Sequence, residues 1–457
     1  MVPARTFSFP LNPKAKISKA SVVVLFAFAL IIFSPIFSFG VKLRFDELVL
    51  LVLVPFAMYF GSRKSIPCVL VPFVFLATAL LFIYLTSQVF SARSTFDVSW
   101  IRSAILGTLF YAYYGFMLWI LIKLFKRESE YDFVFLGSFY VVVILSFISL
   151  LQVWDHKMGG GLGIMKAISY VYPYEGALEQ GMIDKAHGYH IKMGGAGRAT
   201  GSFNGHPILL GDALAFLAIF FIPFVEGIKK TFFYGIVLGA LMLTLSRGAW
   251  VAYIVGVFFY FSVLWSTYLK ENGVKLEAGK VKGFVYAALG VSFFIAFFIA
   301  TGLIESFYWR IESSFESFFG DGVPVHRVER IWPQALSALS QEGVRGWFLG
   351  LSERYDASTD SQYFFYLMQS GVVGIFVYVF FLTALILYGM SWFLSTKEEH
   401  RKVYLSYAAS LFAVSVVSIV HPVLQGNRLF SLLVLLSILV HGMRELDNKA
   451  ILKGSEV

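Results

Sequence analysis

Between residues 21 and 39 the chain reads SVVVLFAFALIIFSPIFSF, with no charged side chain. Apolar runs of this kind recur along almost the whole chain, separated by short polar links. Each lies near the roughly 20 residues that a helix needs to cross a hydrocarbon core. The pattern predicts helices at 21–39, 48–60, 67–87, 101–122, 133–153, 207–225, 231–245, 249–268, 283–302, 363–390, 403–419 and 429–441. The expectation is an all-α integral membrane protein of about 12 spans with two large extracytoplasmic loops, because helices satisfy their own backbone in lipid. The short links at 226–230 and 246–248 predict tight helical hairpins.

Two segments interrupt the pattern, 154–206 and 303–362, and loops of that length usually carry function or structure of their own. The first contains the glycine-rich stretches MGGGLG and MGGAGRATGSFNG, which suit flexible or closely packed backbone. The second contains IESSFESFF and VERIWPQALSAL, whose spaced apolar positions predict short amphipathic helices near an interface. The chain thus divides into an N-terminal bundle (1–153), a first loop (154–206), core helices (207–302), a second loop (303–362) and C-terminal helices with a tail (363–457). No internal repeat marks duplicated halves, which removes one support for a transporter.

Composition agrees with a lipid environment. The chain is 58% hydrophobic and 14% charged, whereas a soluble chain carries about a quarter of its residues as charges. Cys68 is the only cysteine, so neither an internal disulfide nor a multi-cysteine metal site is available. The net charge of +9 is spread over links between spans, so no nucleic-acid partner is expected. With the N-terminus inside, the inner face collects Arg5, Lys14, Lys16, Lys19, Arg63, Lys64, Lys123, Lys126, Arg127, Lys229, Lys230, Lys270 and further basic residues through Lys453. The short outer links hold only Lys42, Arg44, Arg93, Arg102, Arg247 and Arg428. This asymmetry predicts a multi-pass protein of the cytoplasmic membrane with both termini cytoplasmic.

The two long segments then face outward, and so do the candidate chemical groups. Arg247, in LTLSRGAW, falls at a hinge between two spans. It either anchors the hairpin at the headgroups or acts as a permanent bidentate phosphate clamp, which the neighbouring Ser246 and Gly248 leave room for. Asp212 sits a turn or two inside a span, where a carboxylate needs a cation or a polar cavity; Arg198 and Arg247 are its candidate partners. Gly371 and Gly374, one turn apart, suit close helix packing. His156, His187, His190 and His206 form no convincing metal cluster and no DxD motif is present, so neither a metal nor another cofactor is expected.

The segments RATGSFNGHPILLGDALA, LTLSRGAW, RIWPQALSAL followed by GVRGWFLGL, and TDSQYFFYLMQSGVVGIF occur in that order. In this the chain resembles the O-antigen ligase and polymerase superfamily over roughly residues 195–385. The resemblance implies a membrane glycosyltransferase whose donor is a glycan on a polyprenyl diphosphate, with membrane lipids around it and room for a chain-length regulator as a partner. It implies Arg198, Arg247 and Arg330 as the cations that hold the diphosphate. The ligase branch carries a histidine at the end of the large outer loop; this chain has Asp360 there, which points nearer to the polymerase branch. Asp360 is then the candidate base for an acceptor hydroxyl, or else the cap of the following helix. His206 and Gln362 are candidates for contact with acceptor sugar, His206 with a structural interface role as its other reading. A ligase passing finished glycan to an acceptor, and a transporter or flippase of a lipid-linked or anionic solute, stand as alternatives.

Overall fold

A computed structural model describes residues 18–33, 36–38, 42–44, 68–89, 116, 118–125, 127–164, 167, 199–200, 206–225, 227–272, 332–351, 361–396, 400–419, 421 and 427–454. Over these residues the protein is helical apart from one small antiparallel hairpin, β1 (Ile36–Ser38) and β2 (Lys42–Arg44). The helices are α1 (Lys19–Phe33), α2 (Val71–Val89), α3 (Glu128–Lys157), α4 (Pro207–Phe220), α5 (Ile228–Leu243) and α6 (Arg247–Asn272). They continue with α7 (Trp332–Gln341), α8 (Gly343–Leu349), α9 (Gln362–Ser395), α10 (Arg401–Val417) and α11 (Asn427–Gly454).

Four helical stretches among the described residues are long and apolar enough to cross a membrane: Glu128–Lys157, Arg247–Tyr268, Gln362–Ser395 and Leu429–Asn448. Lys19–Phe33, Val71–Ile83 and Pro207–Phe220 are apolar but shorter, and α5 and α10 have 16 and 17 residues. The described helices thus form an α-helical bundle of membrane character without reaching the twelve full spans that hydropathy suggested. The expected spans 48–60 and 283–302, most of 101–122, and most of both long segments lie outside the described residues. Apolar runs overcount spans because a helix buried on every side inside a bundle is as apolar as one that meets lipid.

That distinction is clear in α4. It packs against α5, α6 and α10, and its residues from Leu210 to Phe220 are all buried. By contrast, α6 leaves Val251, Ile254, Phe258, Phe261 and Trp265 exposed along one side. Phe135, Phe220, Phe221 and Phe224 form an aromatic cluster at one end of α4, with ring centroids 5.2–6.3 Å apart. Short links join α4 to α5, with a turn at Ile222–Phe224, and α5 to α6 at 244–246; both begin a few residues before the links expected at 226–230 and 246–248.

Two sequence features resolve into defined local structure. The MGGGLG stretch begins a turn around Asp155, whose carboxylate accepts from the backbone N–H groups of Leu162 and Ile164 at 2.8 Å each. The RIWPQALSAL segment supplies α7, and Trp332 stacks on Phe364 of α9 with centroids 4.7 Å apart. Gly371 allows the close packing expected of it, through a kink inside α9: its φ is 65°, and a side chain added there would meet the backbone of Phe348 in α8 at 2.2 Å. At Gly374 the nearest atoms belong to Ser370 and Tyr366 of the same helix.

Candidate functional site at one end of the bundle

Polar groups gather at the end of the bundle where α3, α5 and α10 finish and α4, α6 and α9 begin. Hydrogen bonds and one close packing contact join them. Gln152, near the end of α3, accepts from Thr200 N at 3.3 Å, and Ala199 N donates to Leu243 O, the last residue of α5, at 2.8 Å. The turn after α5 lies directly against α4: a Cβ on Gly211 would come within 2.8 Å of Thr244 Oγ1 and 3.0 Å of Ser246 Cβ. Asp212, the next residue, binds His421 beyond the end of α10, with Oδ1 and Nδ1 2.9 Å apart. The end of α10 in turn holds the start of α9, since Ser418 O accepts from Gln362 N at 2.9 Å and from Ser361 Oγ at 3.3 Å.

The turn that precedes Arg247 is rigid and strained. Thr244 Oγ1 donates to Leu241 O at 2.7 Å and accepts from Ser246 N at 3.3 Å, while Trp250 Nε1 also reaches Leu241 O at 3.2 Å. Leu245, fully buried, adopts φ of 51°, a left-handed conformation that costs a residue with a Cβ about 1–2 kcal/mol. Strain of this kind persists where the surroundings over-determine it, and it concentrates at functional sites.

Arg247 is the first residue of α6 and is half-buried. A helix N-terminus presents amide N–H groups without intrahelical acceptors and the positive end of the dipole. Helix-terminal N–H groups and an arginine side chain are both donors that suit anions. The hydroxyl of Ser246 belongs to the same feature: its Oγ is buried and has no partner among the described residues.

Asp212 and His421 are both buried. Among the described residues the partner of Asp212 is therefore His421 and not Arg247, while Arg198, the other arginine its position suggested, lies outside them. Only one carboxylate oxygen is used: Oδ2 is buried and has no hydrogen-bond partner among the described residues. Such an oxygen is costly, at roughly 1–3 kcal/mol or more for a charged group.

His206 caps α4, its Nδ1 accepting from Ile208 N at 3.3 Å. Proline at the first helical position completes that start, where a missing N–H costs nothing. Gln362 is buried as the first residue of α9. The cap of α9 is Ser361, whose side chain accepts from Phe364 N at 3.4 Å, and not Asp360. A hydroxyl one residue nearer the helix suits the position better than the carboxylate before it. Arg198, Arg330 and Asp360 lie outside the described residues. His421 and the strained Leu245 escaped sequence reasoning. One signal for His421 was available: it precedes Pro422 between two apolar runs, as His206 precedes Pro207.

The opposite end of the bundle is built differently. There Lys123 pairs with Glu445 and lies over Trp119 at 4.4 Å, His400 meets Asp447 at 2.8 Å, and Tyr404 donates to Asp447 at 2.6 Å. Arg444 donates to Thr396 and Ser395 at 2.7 and 2.9 Å. Arg401 donates to Phe393 O at 3.1 Å, so the described charges there meet acids, hydroxyls, a carbonyl or a ring and fasten helix ends. Comparison with family models, with curated proteins and with solved structures finds no match for this chain.

Proposed function

We propose that this protein is an inverting glycosyltransferase that polymerises lipid-diphosphate-linked oligosaccharide units at the outer face of the cytoplasmic membrane. In this reading the chain crosses the bilayer about 12 times, with both termini inside and the Arg247 end outside. The observation that supports the reading is the start of α6, where Arg247 is the first helical residue and follows a buried Ser246 hydroxyl with no partner among the described residues. Arg198, Arg247 and Arg330 would grip the donor diphosphate, and an acceptor hydroxyl oriented by Asp360 would attack the anomeric carbon from the opposite side. The lipid diphosphate leaves with the electron pair of the broken bond. Fixed cations favour that departure most in the transition state, where the charge on the leaving oxygen is growing.

A proton-coupled transporter is the second reading, and the buried Asp212–His421 pair is what favours it, since intramembrane ionisable pairs commonly relay protons. Asp212 is the sixth residue of α4, only about 9 Å along the axis from the cap at His206. That depth suits a site opening at the outer end better than one at mid-membrane. The deciding experiment is glycan length on purified lipid-linked repeat units. The native protein should build a ladder, whereas Arg247→Ala and Asp360→Ala variants of normal thermal stability should lose it by at least about 100-fold. Movement of the substrate across the bilayer with no new glycosidic bond would favour the transporter instead.

A further inference from the structure

We infer that His421 is the group that takes the proton from the acceptor hydroxyl, with Asp212 as its positioning residue; this rests on the glycosyltransferase reading above. The geometry is that of an oriented base. Asp212 Oδ1 lies 2.9 Å from His421 Nδ1, so a carboxylate there holds the proton on Nδ1 and leaves the Nε2 lone pair to accept another. Among the described residues no partner occupies Nε2. His421 retains 5% of its surface against 1% for Asp212, so the little exposure the pair has belongs to the imidazole.

An imidazolium formed at His421 during the step would face the Asp212 carboxylate at hydrogen-bond distance. That attraction arises only as the hydroxyl loses its proton, which is where catalysis needs it. Position agrees as well. Asp212 follows Gly211, whose backbone abuts the turn that carries Ser246 and leads into Arg247, so base and diphosphate clamp are supplied from adjoining elements. In the step itself the hydroxyl oxygen bonds to the anomeric carbon and the bond from that carbon to the diphosphate oxygen breaks with its electrons going to the diphosphate. The hydroxyl proton passes to His421 Nε2 and from there to solvent.

The test is chemical rescue in the purified, detergent-solubilised full chain. Rates of ladder formation are measured on lipid-linked repeat units for the native protein, His421→Ala, His421→Gln and Asp212→Asn, each checked for unchanged thermal unfolding. A polyprenyl diphosphate serves as the probe of donor binding. The expected result is a fall of about 100-fold or more in both His421 variants. Free imidazole should raise the rate of His421→Ala but not of His421→Gln, whose side chain fills the space. Asp212→Asn should lower kcat with little change in KM, and polyprenyl diphosphate should bind all four proteins alike. A native ladder that His421→Ala matches, or a loss that imidazole leaves untouched in a folded variant, overturns the inference alone. A native protein that makes no ladder overturns the glycosyltransferase reading, and the inference falls with it.

Discussion

Gly211 and Gly235 are each glycines in the interior of an apolar helix, yet opposite consequences follow from replacing them. At Gly211 a methyl group would press on Thr244, Ser246 and Ala249 at 2.8–3.1 Å. Gly211→Ala should therefore cost about 1–3 kcal/mol in thermal unfolding and also move α4 away from the turn before Arg247, lowering activity. At Gly235 nothing lies within 4 Å. Gly235→Ala should be neutral or stabilise α5 by up to about 1 kcal/mol, the difference in helix propensity. Gly371 is the more severe case, since its φ of 65° and the approach of Phe348 backbone both exclude a side chain. Gly350, at φ of 81°, faces Gln369 and Ser370 in the same way from the other side of that contact, and Leu351 N donates to Met368 O at 2.8 Å. Gly371→Ala should cost more than about 3 kcal/mol and is measured by the same unfolding experiment. Nothing in the sequence separates these glycines, because what distinguishes them is the neighbour each meets across the bundle. Arg247 was legible for the opposite reason: a charge between two apolar runs needs no neighbour to stand out.

At the scale of elements, the attachment of α10 to α11 should respond to pH through His400. Burial pulls the His400 pKa down, but the hydrogen bond and charge of Asp447, with Glu128 and Asp132 farther off, outweigh it and leave the value raised. A histidine whose pKa is raised on folding stabilises the folded state fully below its unfolded value near 6.5. That contribution disappears as pH climbs through the raised folded value. Thermal stability in detergent should thus fall on going from pH 6 to pH 9, and His400→Ala should flatten the difference. Tyr404, Arg401 and Lys402 lie on the same helix start, so the comparison between variant and native isolates the histidine. The described long helices coincide with apolar runs, although α11 runs well beyond the expected 429–441 and the runs at 48–60, 283–302 and most of 101–122 lie outside the described residues. The arrangement of the helices was not legible in those runs: α4, buried on all sides, and α6, exposed along one, are both apolar helices, and hydropathy alone does not say which face meets protein and which meets lipid.

Across the whole molecule, phenylalanine and aliphatic side chains such as Phe26, Phe82, Ile144, Phe147, Ile254, Phe258, Phe376 and Phe380 remain exposed on several helices. Surface of that kind calls for lipid or detergent around the bundle. The proposed orientation has a direct check. In a Cys68→Ser background, a cysteine at Met158 should react with a membrane-impermeant maleimide added from outside, and one at Lys229 should react only after permeabilisation. Both positions are exposed. The reversed labelling would place the Arg247 end in the cytoplasm and remove the outer-face reading of the site.

The bond between Asp212 and His421 joins residues 209 positions apart, and this bears on how the protein is made. At about 5–20 residues per second, synthesis of the intervening chain takes roughly 10–40 s. Throughout that interval α4 has left the ribosome with an acid whose base does not yet exist. The ion pair of Lys123 with Glu445, 322 positions apart, closes later still. Each end of the bundle therefore closes only once the last helices have been made, and nascent chains arrested before α10 should be recognisable to membrane quality control as incomplete.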